Sequence, residues 1–162
     1  MSFCSKCGSE LSSKIIESKK QLACSNQNCD YVFWNNPTPV VAALVELNGE
    51  FLLAHNNSWP EGTFSMITGF VDALELPEDA VVREIKEELG LESSTMNFLG
   101  HYIFKEANQL IIAYHIIAKG EVCLNEELSD YKLVSKESLE VYNFEPFYIT
   151  QEVVNDFVTA KN

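Results

Sequence analysis

Residues Gly69–Leu91 read "GFVDALELPEDAVVREIKEELGL". Pro77 suits the first turn of a helix and Gly90 suits its C-terminal cap, so the stretch predicts a helix over Pro77–Leu89. At about 100° per residue, Glu84, Glu87 and Glu88 fall on one face, beside an apolar face of Val81, Val82, Ile85 and Leu89 that docks on a sheet. Glu84 and Glu88, four apart, cost the helix about a few tenths of a kcal/mol by repulsion, and Arg83 beside Glu87 offsets only part of it. A solvated, glutamate-rich face is one reading. The other is a hard divalent cation that removes the conflict: grouped oxygen ligands suit Mg2+ or Mn2+, which take a few carboxylates and leave their other positions to water and substrate phosphates.

Working outward, Val40–Leu47 and Glu50–His55 read as strands joined at Asn48-Gly49, a strong hairpin signal. Asn56–Gly62 reads as a loop and Phe64–Ile67 as a short strand entering Gly69. Leu110–Ala118 is apolar on both alternating sets, as expected of a strand covered on both faces. Thr150–Thr159 reads as a final helix with Val153, Val154, Phe157 and Val158 on its apolar side. Strands interleaved with helices place the chain in the α/β class, a sheet with helices packed on it. The segment Asn35-Asn36-Pro37-Thr38-Pro39 reads as an extended linker, giving domains 1–36 and 37–162.

The first of these domains is short, polar and rich in cysteine. Cys4-x2-Cys7 and Cys24-x4-Cys29 are paired by spacing, which reads as four thiolate ligands of a structural Zn2+; two disulfides or free thiols are the alternative. Cys123, alone on an apolar stretch, reads as a small core residue.

The chain has 162 residues, with 11 Lys and Arg against 24 Asp and Glu. Residues 1–36 are near neutral at +1 and the remainder stands at −14, together the net −13. So negative a surface repels a nucleic-acid backbone and excludes general nucleic-acid binding, while it welcomes divalent cations. The opening "MSFCSKCGSE" lacks a hydrophobic secretory segment, and the apolar runs around VVAALVEL and LIIAYHIIA fall short of the roughly 18 residues of a membrane span, so no membrane and a cytoplasmic location are expected.

The spacing Gly69-x5-Glu75-x7-Arg83-Glu84-Ile85-x-Glu87-Glu88-x-Gly90-Leu91 resembles a complete Nudix box, the motif of hydrolases that cleave a nucleoside diphosphate linked to another group. Only its interior departs, with Asp72 where glutamate is frequent and Leu74 where glycine is frequent. A four-cysteine ribbon followed by "NNPTPVV" is similar to the zinc-ribbon members of that superfamily, notably NADH pyrophosphatases and relatives acting on ADP-ribose or FAD. The tryptophan- and proline-rich array that marks NADH pyrophosphatases after the box is absent, since the region reads "GHYIFKEANQ".

The resemblance implies a Nudix α/β/α sandwich with a mixed sheet, preceded by a small zinc ribbon. It implies Glu84 and Glu88 as the main ligands of Mg2+ or Mn2+, Glu87 as a further one, the Gly69 carbonyl completing a site, and a Glu75–Arg83 pair holding loop to helix. Members often add a late acidic residue as ligand or base; Asp130 is the nearest equivalent, with Glu127 the alternative. Trp59, Phe64, Phe70, Tyr102 and Phe104 are candidates to stack on a base. His55 ends a strand where many relatives have arginine and is a candidate substrate contact, whereas His115 reads as structural. A small-molecule dinucleotide or nucleotide-sugar substrate and a homodimer are implied. A nucleotide-sensing or protein-binding module on the same scaffold is the rival to the enzyme.

Overall fold

The computed structural model describes residues 2–160. The chain falls into two compact units, divided between Asn36 and Pro37. The first unit is an antiparallel sheet in the order β1 (Leu11–Ile16), β2 (Lys19–Cys24), β3 (Val32–Phe33). Its β1–β2 hairpin turns on Glu17 and Ser18, both at positive φ, 49° and 65°, the handedness that matches the twist of the strands.

In the second unit the strands are β4 (Thr38–Leu47), β5 (Glu50–Asn56), β6 (Ile67–Phe70), β7 (Glu92–Phe104), β8 (Gln109–Lys119) and β9 (Leu128–Val134). The helices are α1 (Pro77–Leu89), α2 (Lys136–Glu140) and α3 (Tyr148–Thr159). The sheet runs β7-β8-β4-β5-β9, with β4 and β8 parallel and the other neighbours antiparallel. The mixed sheet therefore has the apolar β4 and β8 at its centre, as continuous hydrophobic runs require.

The other edge of β4 is divided: its C-terminal half pairs β5 at Val45↔Leu52, and its N-terminal half pairs β6 at Val41↔Gly69. This division carries the glycine that opens the box into the sheet. The strand expected over Phe64–Ile67 begins later, at Ile67; Ser65 makes only a single bridge to Ala54, because β5 has already left β4 there.

Side-chain alternation along β4 sorts the core into two layers. Val41, Ala43 and Val45 face α1, where Ala80, Val81, Ile85 and Leu89 are buried; Val40, Ala42 and Leu44 face α2 and α3, where Leu139, Val153, Val154 and Phe157 are buried. The expected α/β/α sandwich is present. Val82, expected in the docking face, is instead partly exposed and Ala80 is buried in its place, while Val81, Ile85 and Leu89 dock as expected. No helix among the described residues is long and apolar enough to cross a membrane.

Candidate functional site

α1 ends as expected, with Gly90 at φ 69° and its N–H bonded to the Lys86 carbonyl. On its exposed flank, Arg83 organises the preceding loop. Nε and Nη2 donate to the two oxygens of Glu75 at 2.8 and 2.9 Å, and Nη2 also donates to the Phe70 carbonyl at 3.0 Å. Nη1 donates to Glu84 at 2.8 Å and to Glu87 at 3.1 Å. The guanidinium fork and the Asp72 N–H hold the Glu75 carboxyl down at about 2, and Glu75 in turn raises the Arg83 pKa further above its ordinary value. Within that loop Leu74 is fully exposed at φ 69°, a left-handed conformation that costs a non-glycine residue about 1–2 kcal/mol.

Gly69 has a steric reason to lack a side chain. A Cβ built there would stand 2.0 Å from Cδ and Oε1 of Glu84, so the carboxylate lies directly against the strand. Glu88 is more deeply set, at 7% exposure, and among the described residues its carboxylate has no hydrogen-bond or ion-pair partner. Burial, then the charges of Glu84, Glu127 and Glu87, push its carboxyl up to about 8; burial likewise raises Glu84, against the pull of Arg83. An ionised carboxylate buried without a donor is costly; protonation relieves it, as the raised pKa reflects, and a bound cation would relieve it in the ionised form. Carboxylate oxygens are the donor type that suits Mg2+ or Mn2+.

Gly69, Glu84, Glu88 and Glu127 line an acidic cleft of about 400 Å³, together with Phe70, Asp72 and Arg83. Glu87 stands outside that lining, more than half exposed. Asp130 is not part of it. It sits on β9 opposite His55 and accepts a hydrogen bond from the Tyr131 N–H, so the late acidic residue brought to the cleft is Glu127. The difference is set by a turn at Asn125, whose side-chain oxygen accepts from the N–H groups of Glu127 and Leu128 just before β9 begins.

Val40, Thr68 and Gln109 line both this cleft and a second, apolar pocket of about 330 Å³. Trp59, Phe104, Phe147 and Tyr148 wall the pocket, with Trp59 and Phe147 rings 4.5 Å apart, and Ser65 and Thr150 share a buried hydroxyl–hydroxyl bond of 2.6 Å at its lining. Of the aromatic candidates, Trp59 and Phe104 are here and Phe70 borders the acidic cleft. Phe64 and Tyr102 are core residues: Lys132 covers the Phe64 ring at 3.9 Å and Tyr102 donates to Asp156 at 2.9 Å. His55 lines neither concavity; its Nδ1 bonds to the Thr63 carbonyl at 2.6 Å. Phe147 and Tyr148 escape a sequence reading, although the run "EPFYIT" at the entry to the last helix, two aromatics after a proline, carries the signal.

His115 is buried, as expected, 2.8 Å from Glu46. Cys123 is exposed rather than core: its N–H caps the Leu89 carbonyl, which holds it outside the sheet. In the first unit, Cys4, Cys7, Cys24 and Cys29 are free thiols whose sulfurs all lie within 4.8 Å of one another. The Cys4–Cys29 and Cys7–Cys24 separations are 3.8 and 3.4 Å, near the roughly 3.8 Å that a tetrahedron with 2.3 Å Zn–S bonds requires. The set fits Zn2+, and the disulfide alternative is not the arrangement observed.

A family profile described as the NUDIX domain matches residues 36–153. Among curated proteins, the chain is 29% identical over 140 residues to the mouse NAD(P)H pyrophosphatase NUDT13, mitochondrial, covering 85% of this chain and 39% of that one. It is 28% identical over 130 residues to the NAD-capped RNA hydrolase NudC of Pseudomonas fluorescens, covering 79% and 46%. The chain thus spans about two-fifths to one-half of these relatives' length. A crystal structure of a NUDIX hydrolase from Nitrosomonas europaea superposes with a TM-score of 0.83 at 19% identity, covering 99% of this chain and 92% of that one. With box, sandwich and profile in agreement over most of its length, this chain belongs to the NUDIX hydrolase family.

Proposed function

We propose that this chain is a metal-dependent pyrophosphohydrolase that cleaves a compact ADP-containing compound, such as ADP-ribose, NADH or FAD, and releases AMP. The observation that carries the reading is Glu88, a buried carboxylate lacking a protein donor, in a cleft continuous with an aromatic pocket. Glu84 and Glu88, with Glu87 and the Gly69 carbonyl, would hold Mg2+ or Mn2+. A divalent cation there supplies neutralisation of the phosphate oxygens and lowers the pKa of water.

The protein's own groups account for the rest. Trp59 and Phe147, packed on each other at the pocket wall, would offer apolar surface to a base, placing the diphosphate toward the carboxylates. Glu127, at the cleft lining, takes the proton as the water oxygen forms its bond to phosphorus and the P–O–P bridge breaks, leaving two phosphate monoesters. Glu75 and Arg83 keep the loop against the helix. The Cys4, Cys7, Cys24 and Cys29 set would bind a structural Zn2+. The net charge of −13 disfavours a long polyanion as the main substrate, despite the NAD-capped RNA hydrolases among the relatives.

The test is a panel of ADP-ribose, NADH, NAD, FAD, diadenosine polyphosphates and nucleoside triphosphates with purified protein and Mg2+. AMP release from the first group is expected, with kcat/KM for NADH within about a hundredfold of the others, a gap of roughly 2.7 kcal/mol. Activity confined to triphosphates, with release of pyrophosphate, would overturn the reading. Binding of ADP-ribose without cleavage would favour a sensor.

A further inference from the structure

Glu127 reaches the acidic cleft on a segment fastened from two sides. On one side, Asn57 donates twice: its N–H to the Glu127 carbonyl at 2.8 Å and its Nδ2 to the Glu126 carbonyl at 2.8 Å. On the other, Asn125 accepts from the Glu127 N–H at 3.0 Å through its side chain and donates its own N–H to the Glu88 carbonyl at 3.2 Å. The backbone of Glu127 is therefore referenced both to the last turn of α1, where Glu88 sits, and to the turn that follows β5.

That turn is itself closed. The Asn56 side-chain oxygen accepts from the N–H and the hydroxyl of Ser58 at 2.9 and 2.6 Å, and the Trp59 N–H donates to the Asn56 carbonyl at 3.0 Å. Trp59, two residues beyond Asn57, is the wall of the aromatic pocket that packs on Phe147. One short hydrogen-bonded turn thus touches both halves of the site. Asn57 itself is exposed and lines neither concavity.

We propose that Asn57 is a positioning residue for hydrolysis: its side chain holds the Glu126–Glu127 peptide so that Glu127 stays at the lining of the cleft it shares with Glu84 and Glu88. This rests on the reading of the cleft as a pyrophosphohydrolase site in which Glu127 accepts the proton. The Asn57 side chain fills no core space, so its loss costs little packing. What it releases is the peptide ahead of Glu127, and displacement of a reacting group by an ångström costs on the order of a hundredfold in rate.

The test is steady-state kinetics of the full chain with Mg2+ and ADP-ribose, or whichever of ADP-ribose, NADH and FAD turns over fastest. Wild type is compared with Asn57→Ala, Asn57→Asp, Glu127→Gln and the Asn57→Ala/Glu127→Gln double variant. Asn57→Ala should lower kcat by about ten- to a hundredfold with KM changed by less than about threefold and the thermal midpoint nearly unmoved. Asn57→Asp, which keeps the size but loses the donor, should fall at least as far. The double variant should be no slower than Glu127→Gln alone, since a residue that acts only through Glu127 has nothing left to position. A kcat for Asn57→Ala within about twofold of wild type, or losses that multiply in the double variant, overturn the inference alone. Wild type without Mg2+-dependent turnover of any panel compound removes the functional reading and the inference together.

Discussion

Gly69→Ala adds one methyl group at a strand position whose φ lies outside the left-handed region, so the backbone accepts the change. The new Cβ would meet Glu84 Cδ and Oε1 at 2.0 Å, and ordinary contact begins near 3.4 Å, so the carboxylate must retreat by about 1.4 Å. The obstruction is the end of a flexible side chain, so the fold yields cheaply and stability should change by no more than about 1 kcal/mol. The site does not yield cheaply: if Glu84 ligates the metal as proposed, a shift of that size in its carboxylate costs on the order of a hundredfold or more in turnover. The 2.8 Å bond from Arg83 to Glu84 is broken in the same movement. AMP release at saturating Mg2+, measured beside the thermal midpoint, checks both halves. A variant folded like wild type and turning over within about threefold of it would refute the placement of Glu84 against Gly69 as a requirement of the chemistry.

Three further outcomes can be measured, two at Glu88 and one at the cysteine cluster. Glu88→Gln should lower Mg2+-dependent turnover by about two or more orders of magnitude while leaving the fold intact. Because burial raises the folded-state pKa of Glu88 to about 8, above its unfolded value, its contribution to stability is present at acid pH and is lost as pH rises through about 8. In EDTA, Glu88→Gln should therefore gain over wild type between about pH 5 and pH 8, and Mg2+ should close the gap at the alkaline end; thermal midpoints on a pH series that show the opposite slope would contradict it. Zinc should be found equimolar with the chain by elemental analysis, and its removal should expose the amides of residues 2–36 to hydrogen exchange while 37–160 keep their protection; a metal-free unit with protected amides would sink the zinc assignment.

What the sequence makes legible here is what is local. The helix over Pro77–Leu89, its Gly90 cap and the hairpin at Asn48-Gly49 depend on neighbours in the chain, and all three stand where the residues place them. β7 and β9 are harder to read because they are edge strands: half of each faces solvent, "ESSTMN" and "SDYK" lack an apolar alternation, and β7 slips register at Ser93/Thr95 and Phe98/Gly100. The glutamates of the box share a helix face by arithmetic alone. Glu127 and the aromatic walls come together only through the sheet order, which sets the loop after β8 and the start of α3 around β4 and β6. The turn at Asn125 is why Asp130 is the wrong neighbour: three residues carry the chain from the cleft onto an outer strand.

Arg83 gives the helix face a resident counterion. Held by both oxygens of Glu75, it cannot swing away, and its Nη1 spans Glu84 and Glu87. Part of the repulsion that a row of glutamates imposes is thus met by a charge the chain already carries. A cation binding as proposed would compete with a tethered rival for Glu84 and find Glu88 uncontested. Affinity in this cleft is accordingly a difference between two cations, and a substitution at Glu75 that loosened the arginine would tune metal preference without touching a ligand.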